Sequence, residues 1–89
     1  LRAPGGCPWD IEQSHLSLRP YLIEEAYEVL DILDQLDTNK KLDDPILRDH
    51  LKEELGDVWL QVLLHSEMTN EKGHFDIHDV AEALNEKLR

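Results

Sequence analysis

Glu25 and Glu28, inside IEEAYEVLDIL, and Glu54 and Asp57, inside EELGDVWLQVLL, form two carboxylate pairs with three-residue spacing. Residues so spaced on a helix are neighbours on one face. At about 100° per residue, Glu25 falls between Ile32 and Leu36 and Glu54 lies close to Val58, so the acids border apolar stripes. Four carboxylates drawn together at a helix–helix seam repel and lose hydration, and they need protons or a cation between them. A hard divalent cation such as Mg²⁺, held by a few carboxylates together with substrate phosphates and waters, meets that need. Zinc is disfavoured because no His or Cys stands at ligand spacing beside the acids. A di-iron centre would need Glu-x-x-His on two helices, whereas the i+3 partners here are Glu28 and Asp57. One acid pair alone is ordinarily a solvated face. Two pairs beside core stripes, with Gly56 allowing a close approach, favour a site.

The elements that must position these acids are helices. The opening LRAPGGCPWD reads as an ordered loop or arm, and Asp10 caps a short helix through about Leu18. Pro20 belongs in the first turn of a second helix, where its missing N–H is tolerated. That helix runs to about Asp37 with Leu22, Ala26, Val29, Leu33 and Leu36 as its apolar stripe. DTNKKLDD has no periodicity and is a loop. Asp44-Pro45 starts a long helix that ends near Gly73. Its stripe is Leu51, Leu55, Val58, Trp59, Val62 and Ser66, which makes Trp59 a core residue. Leu60 and Leu64 add a second apolar face, expected at or near a contact with a second copy of the chain. Asp76 caps a last helix from Ile77, with Val80, Ala81, Leu84 and Leu88 inward. No strand, internal repeat or low-complexity stretch is expected.

An 89-residue chain that is 40% apolar makes one small domain over residues 1–89, with a core adequate but not generous. Help from oligomerisation or a ligand is expected. Its 20 acids against 9 bases give a net charge of −11, which opposes direct binding to nucleic acid or anionic lipid. A polyanionic substrate would need cations to carry it in. The single cysteine, Cys7, excludes an internal disulfide and fits a reducing compartment. With no apolar run of the ~20 residues that span a bilayer and nothing resembling a signal peptide, a cytoplasmic location is expected. The chain opens on Leu1 and stops on Arg89 within a helical pattern, so it reads as trimmed or as a fragment.

Three strings carry a family resemblance: LRAPGGCPWDIEQSHLSLRPYLIEEAYEVLDIL, LKEELGDVWLQVLLHSEM and GHFDIHDVAEALNEKL. Together they resemble the MazG family of nucleoside triphosphate pyrophosphohydrolases over nearly the whole chain, the loop after Asp37 matching least. The family pattern Glu-Glu-x-x-Glu, then Glu-x-x-Asp one helix later, is met by Glu24, Glu25, Glu28, Glu54 and Asp57. The resemblance implies an all-α, four-helix domain that dimerises into a helix bundle, as a homodimer or a dimer of dimers. It also implies Mg²⁺ dependence, with Mn²⁺ as a substitute, and cleavage of an NTP or dNTP to the monophosphate and pyrophosphate, a house-cleaning of nucleotide pools.

Carried over, Glu25, Glu28, Glu54 and Asp57 become the metal ligands. Glu24 either orients or deprotonates the attacking water or is an ordinary exposed acid. Asn85 and Lys87 match the family's closing helix, where basic groups meet the triphosphate. The chain stops before the second base and the RRHPHVF-like tail, so the chain was cut or its grip on phosphate is weaker. That leaves an alternative, a catalytically weak MazG-fold module for dimerisation or nucleotide sensing. Trp9 either stacks on the base or plugs the end of the bundle. His50 and His65 lie on the acid side of the long helix and read better as structural histidines than as phosphate contacts. His15 supports the arm, Cys7 is a packing residue rather than a nucleophile, and Arg19 and Lys52 are phosphate partners or ordinary ion-pair residues.

Overall fold

The computed structural model describes Gly6 and residues 8–36 and 43–89. Four helices follow in order: α1 (Pro8–Glu12), α2 (Arg19–Gln35), α3 (Pro45–Glu71) and α4 (Ile77–Leu88), with no strand among the described residues. The chain divides into two compact units, one formed by residues 19–61 and one by residues 1–18 with 62–89. Cys7 and most of the expected loop, residues 37–42, lie outside the described residues.

Local chemistry sets the helix ends. Asp44 Oδ1 accepts from the Ile46 backbone N–H at 3.0 Å, and Pro45 takes the first helical position of α3, where no N–H is needed. At the far end Gly73 has φ 77°, the left-handed geometry that a side chain resists. The His74 N–H reaches the Thr69 carbonyl and the Gly73 N–H that of Asn70, each at 3.0 Å, which closes the orphan carbonyls in a Schellman turn. Asp76 and Asp79 form a reciprocal capping box on α4. The Asp79 backbone N–H holds the Asp76 carboxyl below its ordinary value. The first element differs from expectation: α1 begins at Pro8 and stops at Glu12, so Asp10 is a buried helical residue and Trp9 sits on a helix.

Within residues 19–61, burial shows which faces turn inward. On α2 the buried or half-buried positions are Glu25, Val29 and Ile32, with Leu36 just past its end; on α3 the main run is Leu47, Leu51, Glu54, Val58 and Gln61, with Leu60 half-buried beside it. Both runs follow the i, i+4, i+7 spacing of a helix face. Gln35 at the end of α2 shares a cavity with Asp44, Ile46, Leu47 and His50 at the start of α3. The acids bring the first half of α2 to the middle of α3. The two helices therefore run antiparallel.

This unit buries few apolar side chains. Ile32 and Leu47 are buried, whereas Tyr21, Leu22, Ile23, Tyr27, Leu30, Leu33, Leu55 and Trp59 are exposed. The expectation that Trp59 is core is corrected, since it is 53% exposed. Leu22, Leu33 and Leu55, expected inward, are exposed as well. Gly56 permits no close approach within the chain, because a Cβ there would meet nothing within 4 Å.

In the other unit the buried apolar side chains among the described residues are Leu18, Leu64 and Met68, and Asp10 and Ser66 are buried as well. The Ser66 hydroxyl meets its need locally by donating to the Val62 carbonyl at 2.7 Å. Leu64, expected at a surface between copies, is fully buried within the chain; Leu60, expected there too, belongs to the unit of residues 19–61 and is half-buried. Leu84 and Leu88, expected inward on α4, are exposed. An i, i+4 pattern marks a face but not the neighbour that covers it, and α3 is apolar on more than one face.

Because Leu64 is fully enclosed, Leu64→Ala leaves a cavity and is expected to destabilise the chain by about 3 kcal/mol. Leu16→Ala, at a residue 71% exposed, should cost under about 0.5 kcal/mol. Urea unfolding of the two variants checks this, and equal midpoints would contradict the assignment of the core.

Candidate metal centre

Glu25 and Glu54 take stripe positions on the facing sides of α2 and α3, and Glu28 and Asp57 stand one turn along each helix on the open side. One carboxylate oxygen from each of the four lies within 4.8 Å of the other three. Oxygens sharing one octahedral ion at ~2.1 Å are at most about 4.2 Å apart, so small side-chain rotations close the set around a cation. Every donor is a carboxylate oxygen, the preference of Mg²⁺ and Mn²⁺ rather than of zinc.

The hydrogen bonding supports the same fit. Glu25 Oε2 and Glu54 Oε2 are buried and have no hydrogen-bond partner. Buried polar atoms in folded proteins are nearly always satisfied, so two orphaned oxygens in one cluster need an electropositive occupant. Ionised carboxylates only accept, and they bond to one another only when one carries a proton. The Glu54 carboxyl is pushed up to about 7, first by the hydrogen bond it would share with Glu28, then by lost hydration and the charges of Glu28, Asp57 and Glu25. Burial raises the Glu25 carboxyl, and the charges of Glu28 and Asp57 push it the same way. A shared proton would relieve the same repulsion that a divalent cation would.

The remaining residues singled out in the sequence lie elsewhere. Glu24 is an exposed acid on α2, one position from Glu25. Trp9 on α1 and Asn85 and Lys87 on α4 are exposed and belong to the other unit. His50 lines the cavity at the α2–α3 turn. Lys52 pairs with Asp49 at 3.9 Å on the surface, the ordinary reading for it. His15 and His65 stack with ring centres 4.9 Å apart, and their Nδ1 atoms share a hydrogen bond of 2.6 Å. Burial, and then the charge of His15, lowers the pKa of His65. Sequence reasoning missed this pairing, because fifty residues separate the two. It also missed Gln61, which is 4% exposed with its Oε1 unpartnered. The signal was present, since an amide in VWLQVLL seven residues after Glu54 falls on the stripe of that acid.

Comparison with known proteins bears on the same residues. Residues 13–89 match the MazG nucleotide pyrophosphohydrolase domain. The chain is 49% identical over 88 residues to the nucleoside triphosphate pyrophosphohydrolase/pyrophosphatase MazG of Thermotoga maritima, covering 99% of this chain and 31% of that protein. It is equally similar, 49% over 88 residues, to the uncharacterized protein YabN of Bacillus subtilis, where it covers 99% of this chain and 16% of that protein. It is 42% identical over 89 residues to the nucleoside triphosphate pyrophosphohydrolase of Escherichia coli K12, covering 99% of this chain and 30% of that protein. The chain thus spans between about a sixth and a third of the length of these relatives.

With cations chelated, the raised Glu54 carboxyl makes stability fall as pH rises. Between the ordinary 4.5 and about 7 the folded chain holds more proton than the unfolded chain, so the loss builds over that window and is complete above it. His65, whose lowered value works in the opposite direction below its ordinary 6.5, partly masks the slope. The difference between wild type and Glu54→Gln isolates it. Melting temperatures at pH 5 and pH 8 in chelator should show wild type losing more than Glu54→Gln, and Mn²⁺ should restore wild type at pH 8. Identical pH slopes for the two proteins, with no rise on adding cation, would count against the cluster as a metal site.

Proposed function

Because this chain belongs to the MazG nucleotide pyrophosphohydrolase domain family, we propose that it hydrolyses nucleoside triphosphates, NTP or dNTP, to the monophosphate and pyrophosphate at the Glu25–Glu28–Glu54–Asp57 cluster. The observation that carries this reading is the convergence of four carboxylates with two buried, unpartnered oxygens among them. These acids would hold Mg²⁺, or Mn²⁺ in its place. When bound, the cation supplies positive charge for phosphate oxygens in an otherwise acidic site and makes water more acidic. Without it, a chain of net charge −11 repels a triphosphate.

The chain's own residues do the rest. Glu25 and Glu54 fix the inner side of the site from two packed helices, which limits reorganisation during the reaction. Glu24, exposed one position from Glu25, would orient the attacking water or accept its proton, the role the family resemblance gives it. A bond forms from that water to the α-phosphorus, the bond to the bridging α–β oxygen breaks, and pyrophosphate leaves. Contact of Lys87 and Asn85 with phosphate, and of Trp9 with the base, rests on the family resemblance alone.

Two features bear on the physiological setting. The described residues contain no helix long and apolar enough to cross a membrane, which is consistent with a cytoplasmic nucleotide-pool enzyme. The apolar surface of α2 together with Leu55 and Trp59 fits a second copy of the chain, as homodimer or dimer of dimers, since among the described residues of this unit Ile32 and Leu47 are its buried apolar side chains, a small core.

Hydrolysis in ¹⁸O water should place the label in the monophosphate and release intact pyrophosphate. Glu28→Gln or Asp57→Asn should lower kcat by at least roughly a hundredfold with helical content unchanged. Release of orthophosphate with a nucleoside diphosphate would mean attack at the γ-phosphorus and would overturn the proposal. Absence of turnover with every common NTP and dNTP would favour a nucleotide-sensing module.

Sedimentation at micromolar concentration should show no stable monomer, and Trp59→Glu should shift the population to monomer. A wild-type monomer under those conditions would remove the proposed partner.

A further inference from the structure

Gln61 is a buried amide on a stripe otherwise built from Leu47, Leu51, Glu54 and Val58. At 4% exposure it has given up water, and its Oε1 has no partner in exchange. Among the described residues the unpartnered buried side-chain oxygens are those of Glu25, Glu54 and Gln61, and the first two belong to the acid cluster. Resting on the reading of that cluster as a cation site, we propose that Gln61 is a positioning residue for it, its amide oxygen accepting a hydrogen bond from a water held by the divalent cation.

Helix geometry brings the group there. Gln61 follows Glu54 by seven residues and Asp57 by four, on the uninterrupted helix α3. Residues four apart have Cβ atoms about 6 Å from one another. Long helical side chains lean toward the N-terminus and cover the preceding turn, which for Gln61 is the turn of Asp57. The amide is thus carried toward the acids.

The chemistry asks for such a group. Mg²⁺ keeps several of its waters when carboxylates hold it. A water bound through its lone pair turns both hydrogens outward and needs acceptors for them. Carboxylate oxygens not bound to the cation can take some of these hydrogens, and an amide oxygen four residues beyond Asp57 adds a further acceptor. A neutral amide oxygen accepts such a hydrogen without adding a fifth negative charge to a cluster already repelling itself. A leucine would fit the stripe at lower cost, but it could hold no water.

The test compares Mn²⁺ binding, by calorimetry and by water-proton relaxation of the bound ion, in wild type, Gln61→Met, Gln61→Glu and Asp57→Asn. Methionine keeps the length of the side chain and removes the strong acceptor, so Gln61→Met should bind Mn²⁺ about tenfold more weakly and alter the relaxation of the bound water. Gln61→Glu keeps an acceptor and adds a negative charge that attracts the cation, so it should bind Mn²⁺ no more weakly than wild type. In chelator Gln61→Met should melt no lower than wild type, because an orphaned amide is removed, and sedimentation should be unchanged. If Gln61→Met does not fold, Gln61→Asn withdraws the amide by one methylene and should show the same weakening.

Wild-type affinity and relaxation in the variant would overturn the proposal. So would a loss of affinity that accompanies a change of oligomeric state, which would make the amide an interface group. Loss of Mn²⁺ in Asp57→Asn with normal binding in Gln61→Met would sink the role of Gln61 and leave the cation site standing. A wild type that takes up no Mn²⁺ would end both.

Discussion

Glu25 and Glu54 occupy inward stripe positions that apolar residues fill in an ordinary helical hairpin, and most of the character of the α2–α3 unit follows from keeping carboxylates there. The buried Oε2 atoms of both have no hydrogen-bond partner among the described residues. Glu28 and Asp57 add two charges at the edge. The cluster is compatible with folding when a proton or a cation compensates the charge, and at neutral pH a divalent cation is the stronger compensation for four acids. Binding energy and folding are linked in such an arrangement, because whatever satisfies the acids also joins the helices.

That arrangement explains why the unit is weak in other respects. Positions given to Glu25, Glu54 and Gln61 are lost to apolar packing, leaving Ile32 and Leu47 as its buried apolar side chains. The apolar surface that remains, from Tyr27 and Leu30 to Leu55 and Trp59, lies outside. The second unit is better supported, with Leu18 and Leu64 fully enclosed, a Schellman turn at Gly73 and a capping box at Asp76. The better-packed core and the acid cluster thus lie in different stretches of the chain, and helix α3 contributes residues to both.

Much of this was legible in the residues. Asp44-Pro45, Gly73 and Asp76 mark helix ends through local hydrogen bonding and backbone geometry, which need no knowledge of the rest of the chain. The i, i+3 spacing paired Glu25 with Glu28 and Glu54 with Asp57 on their own helices, and the place of both pairs beside apolar stripes pointed them to one seam. Trp59, Leu55 and Leu64 were misplaced because a helical wheel sorts residues into faces without saying which neighbour covers each face, and VWLQVLL is apolar on several. Gln61 passed unseen within that run, since one amide among apolar residues changes the hydrophobic pattern little. The short α1 was overextended, Asp10 being read as a cap when Pro8 already supplies the first helical residue. The pairing of His15 with His65 is a tertiary contact that no local pattern announces.

The most direct measurement is a crystal structure of the protein grown with Mn²⁺, with data collected to reveal the anomalous scattering of manganese. The account predicts an anomalous peak among the carboxylates of Glu25, Glu28, Glu54 and Asp57, with oxygens of both helices at about 2.1 to 2.2 Å from the ion. A map with no peak there at saturating Mn²⁺, and the four carboxylates turned toward separate regions of solvent, would contradict it.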